Sequence, residues 1–296
     1  MQQSSSLPSL SRREFLGTLV VVGSAAVLSR TAAAASAGPR WQIGCYTRPW
    51  TQHDYRVALD AIAKAGFKYA GLMTTNSKTK LVISCETTPE EAAAVSHELK
   101  QRGLKVPSIW GGRFKDVNEL KRLIDNCVIC GCPNLLLGGT NEKQAEAYYK
   151  IVGDCCEYAA SKGVALSIKP HGGNNANGVQ CRDLIRKVGH KNFGLWYDPG
   201  NVFYYSKGQL DPVDDAAAVD GLVMGMCVKD FRPPNEVMLT PGTGKVNFRK
   251  VLERLKQGGF TSGALVVECL SPGDLPHLQA EAIKARRFVE SLIYRL

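Results

Sequence analysis

Beyond its first thirty residues the sequence has no long hydrophobic run, and no segment there reaches 18 apolar residues. A transmembrane helix needs about 20 apolar residues, so we expect no membrane span in that part of the chain. Runs of basic residues are also missing: the net charge is +10, but lysines such as Lys64 and Lys68 are scattered singly. Proteins that bind nucleic acid usually cluster their lysines and arginines, so we expect no nucleic-acid partner.

A disulfide framework is also not indicated, although the chain has ten cysteines. Most of them lie inside apolar strand or helix patterns, where cysteine packs as a small hydrophobic residue. Cys127 and Cys130 form a C-x-x-C, but no second pair stands at zinc-ribbon spacing. We therefore expect buried free thiols.

Residues 1–37 are typical of a twin-arginine signal peptide. Arg12 and Arg13 precede a short apolar stretch at residues 17–28 and a small-residue segment at residues 32–37 with several A-x-A sites. About 12 apolar residues cannot cross ~30 Å of hydrocarbon, which argues against a membrane anchor. The sequence predicts export by the twin-arginine (Tat) machinery to the periplasm or beyond.

After the signal, short apolar runs alternate with longer amphipathic ones. The predicted strands cover residues 42–46, 69–73, 105–110, 134–138, 165–169, 194–198, 223–228 and 265–269. The predicted helices cover residues 55–65, 89–102, 116–130, 142–162, 181–188, 213–220, 248–257 and 277–294. Eight strand–helix pairs in about 260 residues predict an α/β fold, a single (β/α)8 TIM barrel over residues 38–296. An open doubly wound sheet would place a glycine-rich turn after the first strand, and residues 45–50 contain no glycine.

Functional side chains of such a barrel lie at the carboxyl ends of its strands. The residues at these ends are polar or aromatic: Tyr46, Arg48, Thr74, Trp110, Lys169, His171, Asp198, Asn201, Cys227, Lys229, Asp230 and Glu268. Hydrogen-bonding groups beside flat apolar faces suit a small carbohydrate. The residues expected to bind it are Tyr46, Trp110, His171, Asn201, Lys229 and Asp230. Plainer roles stay open for five of these residues: Asp198 as a cap of the following turn, Asn201 as a helix N-cap, Cys227 as a buried strand thiol, Lys169 reaching solvent past the strand end, and His171 in loop hydrogen bonding.

Five ordered segments resemble the sugar phosphate isomerase/epimerase group of the xylose-isomerase-like barrels, which also include endonuclease IV. They are VALSIKPHGG (164–173), YDPGN (197–201), CVKD (227–230), PGTGKVNF (241–248) and VVE (266–268). The resemblance spans the whole chain after the signal and implies a sugar-directed enzyme without specifying one reaction. The loop at residues 241–244 is either a turn or a flexible lid over the site.

The resemblance also implies a divalent metal held by a Glu, an Asp, a His and a Glu after strands five to eight. Here these positions are Lys169, Asp198, Cys227 and Glu268, so two of the four ligands are changed. A protonated lysine cannot ligate a metal and would repel one. The alternative is a zinc or manganese ion on a shifted ligand set of His171, Asp198, Cys227 and Glu268.

If no metal binds, Lys169 is expected to neutralise Asp198 and Glu268 in the metal's place. Glu268 would then act as the catalytic base and Lys169 as its cationic partner, for enolisation or β-elimination next to a carbonyl. A lysine and a glutamate within about 4 Å of each other would favour this enzyme.

Three functions compete at this point. The first is a sugar isomerase or epimerase, with a metal-independent sugar lyase as a close variant. The second is a sugar-binding barrel without catalytic activity. The third, DNA repair like that of endonuclease IV, needs a histidine-rich zinc site, and only one of the five histidines, His171, follows a strand. We therefore exclude the third.

Overall fold

The computed structural model describes residues 40–294, and the predicted signal peptide lies outside them. The strands are β1 (Trp41–Tyr46), β2 (Tyr69–Gly71), β3 (Ile109–Trp110), β4 (Asn134–Leu136), β5 (Ala165–Ile168), β6 (Phe193–Tyr197), β7 (Val223–Val228) and β8 (Gly263–Val267). The α-helices are α1 (Tyr55–Lys64), α2 (Pro89–Gln101), α3 (Val117–Ile129), α4 (Ala145–Ser161), α5 (Gly178–Val188), α6 (Pro199–Tyr205), α7 (Pro212–Asp215), α8 (Phe248–Gln257) and α9 (Leu275–Tyr294).

The eight strands form one parallel sheet in the order β2-β1-β8-β7-β6-β5-β4-β3. Neighbours in this order are consecutive along the chain, except that β1 pairs with β8 along its length. The two outer strands also meet, because Leu72 pairs in parallel with Ile109 just beyond β2, and Tyr69 pairs with Lys105. The sheet therefore closes into the predicted TIM barrel.

Local sequence determines where the helices begin. The side chain of Asp54 accepts a hydrogen bond from the backbone amide of Arg56 at the start of α1. Thr88 and Glu91 form a reciprocal capping box at the start of α2, and the side chain of Asp116 accepts from the amide of Glu119 at the start of α3. Such caps satisfy amides that the first helical turn leaves without partners.

The hydrophobic core has two parts, one between the strands and the surrounding helices and one inside the barrel. The inner part consists of Tyr46, Met73, Leu136, Trp196, Cys227, Ala264 and Val266. Successive strand residues point alternately inward and outward, so each strand contributes to both parts. The inner residues form the floor beneath the carboxyl ends of the strands.

All eight predicted strands are present, but several are shorter than predicted. The predicted strand at residues 105–110 is regular only at Ile109–Trp110, and the predicted helix at residues 213–220 divides into α7 and the 3-10 turn Ala216–Val219. α6 was not predicted. It has seven residues and begins at Pro199, directly after a buried aspartate, so its sequence shows no helical periodicity of useful length.

All ten cysteines are free thiols, and nine of them are buried. This confirms the expectation of packed thiols. Within residues 40–294, every helix is too short or too polar to cross a lipid bilayer.

Candidate active site

Lys169 follows β5 directly and its side chain is buried among acidic groups. Its Nζ lies 3.1 Å from Oδ2 of Asp198 and 2.5 Å from Oε2 of Glu268. The Sγ of Cys227 is 3.8 Å from the same nitrogen. The four residues at the ends of strands five to eight therefore meet at one point, as the strand-end argument predicted.

Glu268 follows β8 and accepts four hydrogen bonds from side chains. Arg48 lies 2.5 Å and Lys229 3.0 Å from its Oε1. Lys169 and the thiol of Cys227 donate to Oε2, the thiol at 2.9 Å. Three cations and one thiol thus surround a carboxylate that is 1% exposed.

The charges in this cluster shift the pKa values of Glu268, Lys169 and Cys227 together. Burial alone would raise the pKa of Glu268, but Lys169, Lys229 and Arg48 outweigh it and hold that pKa well below its ordinary value. Burial alone would lower the pKa of Lys169, and the negative groups around it raise the pKa instead. Burial raises the pKa of the Cys227 thiol well above its ordinary value. At neutral pH the carboxylate is charged, the lysines are protonated and Cys227 is a thiol.

The metal that the family resemblance implies does not fit these residues. Asp198, Cys227 and Glu268 offer three donor atoms within 4.8 Å of one another. The ammonium of Lys169 already contacts all three. The shifted set also requires His171, whose ring lies outside that group of donor atoms. A divalent ion there would be repelled by Lys169 and would need the Cys227 thiol to lose its proton.

The cluster lies beneath a cavity of about 320 Å³ at the carboxyl ends of the strands. Its walls are formed by Arg48, Met73, Thr74, Trp110, Lys169, His171, Asn201, Tyr204, Tyr205, Lys229, Val237 and Glu268. Four residues assigned to the substrate from sequence are in this wall: Trp110, His171, Asn201 and Lys229. The rings of Tyr204 and Tyr205 pack edge to face, with centroids 5.0 Å apart.

His171 lies at the rim of the cavity, exposed on one side and 5.7 Å from the ring of Tyr205 between centroids. Burial of the rest of the ring, with the charges of Lys169 and Lys229, lowers the pKa of His171 to about 4. At neutral pH the ring is therefore uncharged.

Tyr46, expected to contact the substrate, instead forms part of the floor. Its side chain is fully buried and packs against Gly71, where an added Cβ would lie 2.3 Å from the Tyr46 ring. The glycine leaves the space that the ring fills inside the barrel. Tyr46 therefore supports the cluster from below and does not line the cavity.

Asp230, also expected to contact the substrate, anchors a loop. Its Oδ1 accepts from the amides of Phe231 and Val246 at 2.8 and 3.1 Å. Its Oδ2 accepts from those of Gly242 and Gly244 at 2.9 and 2.8 Å. All its accepting capacity is directed at the backbone, and the loop at residues 241–244 is a pinned turn and not a free lid.

Asp198 caps a helix and also pairs with Lys169. Its Oδ1 accepts from the amide of Asn201 at 2.9 Å, so Asp198 is the N-cap of α6. Its Oδ2 binds Lys169. Asn201 is therefore not the cap; its side-chain nitrogen donates to the carbonyl of Pro170 at 2.7 Å, which positions Asn201 at the cavity wall.

No role was predicted from the sequence for Arg48, Tyr204 or Tyr205. Arg48 follows β1 and was among the strand-end residues. Because barrel closure places β1 beside β8, the contact of Arg48 with Glu268 follows from the topology. The two tyrosines lie on α6, whose existence the sequence pattern did not show.

Comparison with known proteins gives a family and a fold. The model of the family described as xylose isomerase-like TIM barrel matches residues 59–292. No curated protein matches the sequence. A xylose isomerase domain protein from Planctomyces limnophilus superimposes with a TM-score of 0.68 at 21% identity, over 86% of this chain and 98% of that one.

Two sugar epimerases show the same architecture. D-allulose 3-epimerase from Methylomonas sp., solved with D-allulose, has a TM-score of 0.66 at 16% identity, over 85% of this chain and 97% of the other. D-psicose 3-epimerase from Clostridium cellulolyticum H10, solved with D-tagatose, has a TM-score of 0.65 at 14% identity, over 85% and 99%. At these identities the likeness shows the fold alone.

Proposed function

Because the chain belongs to the xylose isomerase-like TIM barrel family, we propose that it is a sugar isomerase or epimerase that removes a proton next to a carbonyl. The observation that carries this proposal is the cluster of Arg48, Lys169, Lys229 and Glu268 at the floor of a cavity of about 320 Å³. The cavity lies on the face where TIM-barrel enzymes place their active sites. Solved relatives of the same fold include epimerases of ketoses, which supports a keto sugar as substrate.

Substrate binding would use the donors that the cluster leaves free. In the described part of the chain, the only hydrogen bond that the Lys229 ammonium makes is to Glu268, so two of its N–H bonds are free. Arg48 uses one terminal nitrogen, for Glu268 and Cys269. A sugar carbonyl oxygen can therefore bind Lys229 and Arg48 while Trp110 covers an apolar face of the ring.

The proton would pass from carbon to Oε1 of Glu268, the predicted base. A carboxylate with a lowered pKa is a weak base, which argues against this step when Glu268 is considered alone. However, the negative charge moves from Glu268 to the enolate oxygen inside the same group of cations. Arg48, Lys169 and Lys229 stabilise both forms, so the cations that weaken the base also stabilise the enolate that it generates.

Solvent isotope exchange tests this proposal directly. The protein is incubated in D2O with a panel of ketoses and uronic acids, and deuterium next to the carbonyl is measured by NMR. We expect exchange in at least one sugar with the parent and none with Glu268→Gln. Elimination of water in place of exchange would identify the lyase variant, and sugar binding without either reaction would identify a non-catalytic sugar-binding barrel.

We also propose that the protein acts outside the cytoplasm after twin-arginine export. The support is Arg12 and Arg13 before a short apolar stretch and the A-x-A sites at residues 32–37. Replacing both arginines with lysine should leave uncleaved precursor in the cytoplasm. Normal export of that variant would contradict the proposal.

A further inference from the structure

Two larger cavities adjoin the cavity above Glu268 along the rim of the barrel. The next cavity, of about 510 Å³, shares Thr74, Trp110, Lys169 and His171 with it. The third, of about 670 Å³, shares Arg113, Gly139 and His171 with the second. A monosaccharide in the first cavity would leave the other two unfilled.

The two outer cavities carry positive charge and no opposing carboxylate. Lys80 and Arg113 line the second, and Arg113 and Lys115 line the third; neither wall includes an Asp or a Glu among residues 40–294. The side chains of Lys80, Arg113 and Lys115 form no ion pair with any residue in that range. Three cations are thus free to bind an anion on a ligand.

The third cavity also has features that suit a sugar ring. The rings of Phe114 and Tyr148 stack with centroids 4.7 Å apart and give it an apolar wall. Asn175 is 1% exposed and lines the same cavity, and its Oδ1 has no hydrogen-bond partner in the described chain. A buried acceptor without a donor is costly, and a ligand hydroxyl would satisfy it.

Gly139 lies directly against the buried side chain of Asn175. A Cβ at position 139 would lie 3.0 Å from the Asn175 Oδ1, a contact that only a shift of the neighbour would relieve. An alanine at this position would therefore press on the Asn175 amide beside the third cavity.

From these observations we infer that the substrate is an anionic oligosaccharide or glycoside. Its reacting sugar would occupy the cavity above Glu268, and an attached sugar bearing a carboxylate or phosphate would bind Arg113 and Lys115 beside Asn175. The placement of the reacting sugar rests on the proposed function. The outer subsite rests on the outer cavities alone.

Calorimetric binding of defined sugars tests the inference. The acidic probes are digalacturonate, dimannuronate, cellobiuronate and trehalose 6-phosphate, each measured against its uncharged counterpart, either carboxyl-reduced or unphosphorylated. We expect at least one acidic probe to bind about tenfold more tightly than its counterpart, and the uronides and trehalose 6-phosphate separate carboxylate from phosphate. If no acidic probe binds more tightly than its counterpart, the inference is wrong.

Variants locate the subsite. Arg113→Ala with Lys115→Ala should remove most of the preference for the acidic disaccharide and leave the affinity for the corresponding monosaccharide unchanged. The matched control is Arg186→Ala with Lys187→Ala, an exposed pair in the last turn of α5. Equal loss for monosaccharide and disaccharide would overturn the inference. So would equally tight binding of an oligothymidylate, because the rim would then be a general polyanion surface.

Gly139→Ala provides a second, uncharged test. It should weaken disaccharide binding about tenfold because the added carbon displaces the Asn175 amide, with monosaccharide binding preserved. Gly153→Ala, where the added carbon meets Val188 at an ordinary 3.9 Å, is the control. If these binding patterns hold but no sugar exchanges deuterium, the proposed function fails and the subsite remains. If monosaccharides exchange deuterium and Gly139→Ala does not change disaccharide binding, the proposed function stands and the outer subsite is wrong.

Discussion

Glu268 and Asp230 are two buried carboxylates at the carboxyl ends of neighbouring strands, and their partners differ in kind. Asp230 accepts from four backbone amides, which are neutral and fixed. Glu268 accepts from three cationic side chains and a thiol at the floor of a cavity. A carboxylate satisfied by backbone amides holds a loop, whereas one satisfied by cations with spare donors can exchange partners with a substrate. Strand-end position alone does not distinguish them.

The largest expected effect is that of Glu268→Gln. The amide cannot serve as a base, and it leaves two buried lysines and the partly exposed Arg48 with Asp198 as the remaining carboxylate of the described cluster. We expect a loss of kcat of about 10²–10⁴-fold and a fall in the free energy of unfolding of about 3–5 kcal/mol. Deuterium exchange and urea unfolding measure the two effects. Retained exchange would show that Glu268, like Asp230, is structural.

Asp230→Asn is the counterpart and should affect stability alone. The amide group would turn one donor toward backbone amides that need an acceptor, so the free energy of unfolding should fall by about 1–3 kcal/mol. The kcat of the folded protein should stay within about threefold of the parent value. A much larger loss of kcat in a fully folded variant would mean that Asp230 contacts the substrate, as predicted from the sequence.

The pH dependence of the rate tests the charges around Glu268. Because its pKa lies well below the ordinary 4.5, the base stays ionised and kcat should show no acid limb between about pH 7 and 5. For the same reason its contribution to stability is present above pH 4.5 and is lost only as the pH falls through the lower folded value. Lys229→Met removes one of the cations that lower the pKa of Glu268 and should move the acid limb to higher pH. An unchanged limb would mean that another group is the base.

The smallest effect is expected for Cys227→Ala. The thiol gives Glu268 one weak hydrogen bond, so its loss should cost about 1 kcal/mol of stability and change kcat less than about fivefold. Cys227→Ser, which keeps a donor, should be closer to the parent. Complete loss of activity in both variants would instead favour the shifted metal site, in which Cys227 is a ligand.

The sequence predicted the position of most site residues because strand ends are readable from apolar runs. Lys169, Asp198, Cys227 and Glu268 each end or follow such a run, and barrel closure brings the run ends together. The family that the five segments resemble, with its fold, is confirmed.

What the sequence did not show depends on packing between distant residues. Tyr46 fills the space left by Gly71 on the next strand, which no pattern within either strand reveals. Asp230 meets the amides of residues 242–246, and that contact exists only once the long loop has closed. α6 is too short to show a helical period, so Tyr204 and Tyr205 were missed with it.

The ammonium of Lys169 lies between Asp198 and Glu268, at the point where the family resemblance implies a divalent metal. Metal analysis of the purified protein and of Lys169→Glu, each after exposure to zinc and manganese, is the most direct test of whether the ammonium replaces the metal. We expect less than about 0.1 metal ion per parent chain and a clear gain in the variant, because a carboxylate there replaces a repelling charge with a ligand. About one zinc or manganese ion per parent chain, with deuterium exchange lost to a chelator, or a variant that binds metal no better than the parent, would contradict this expectation.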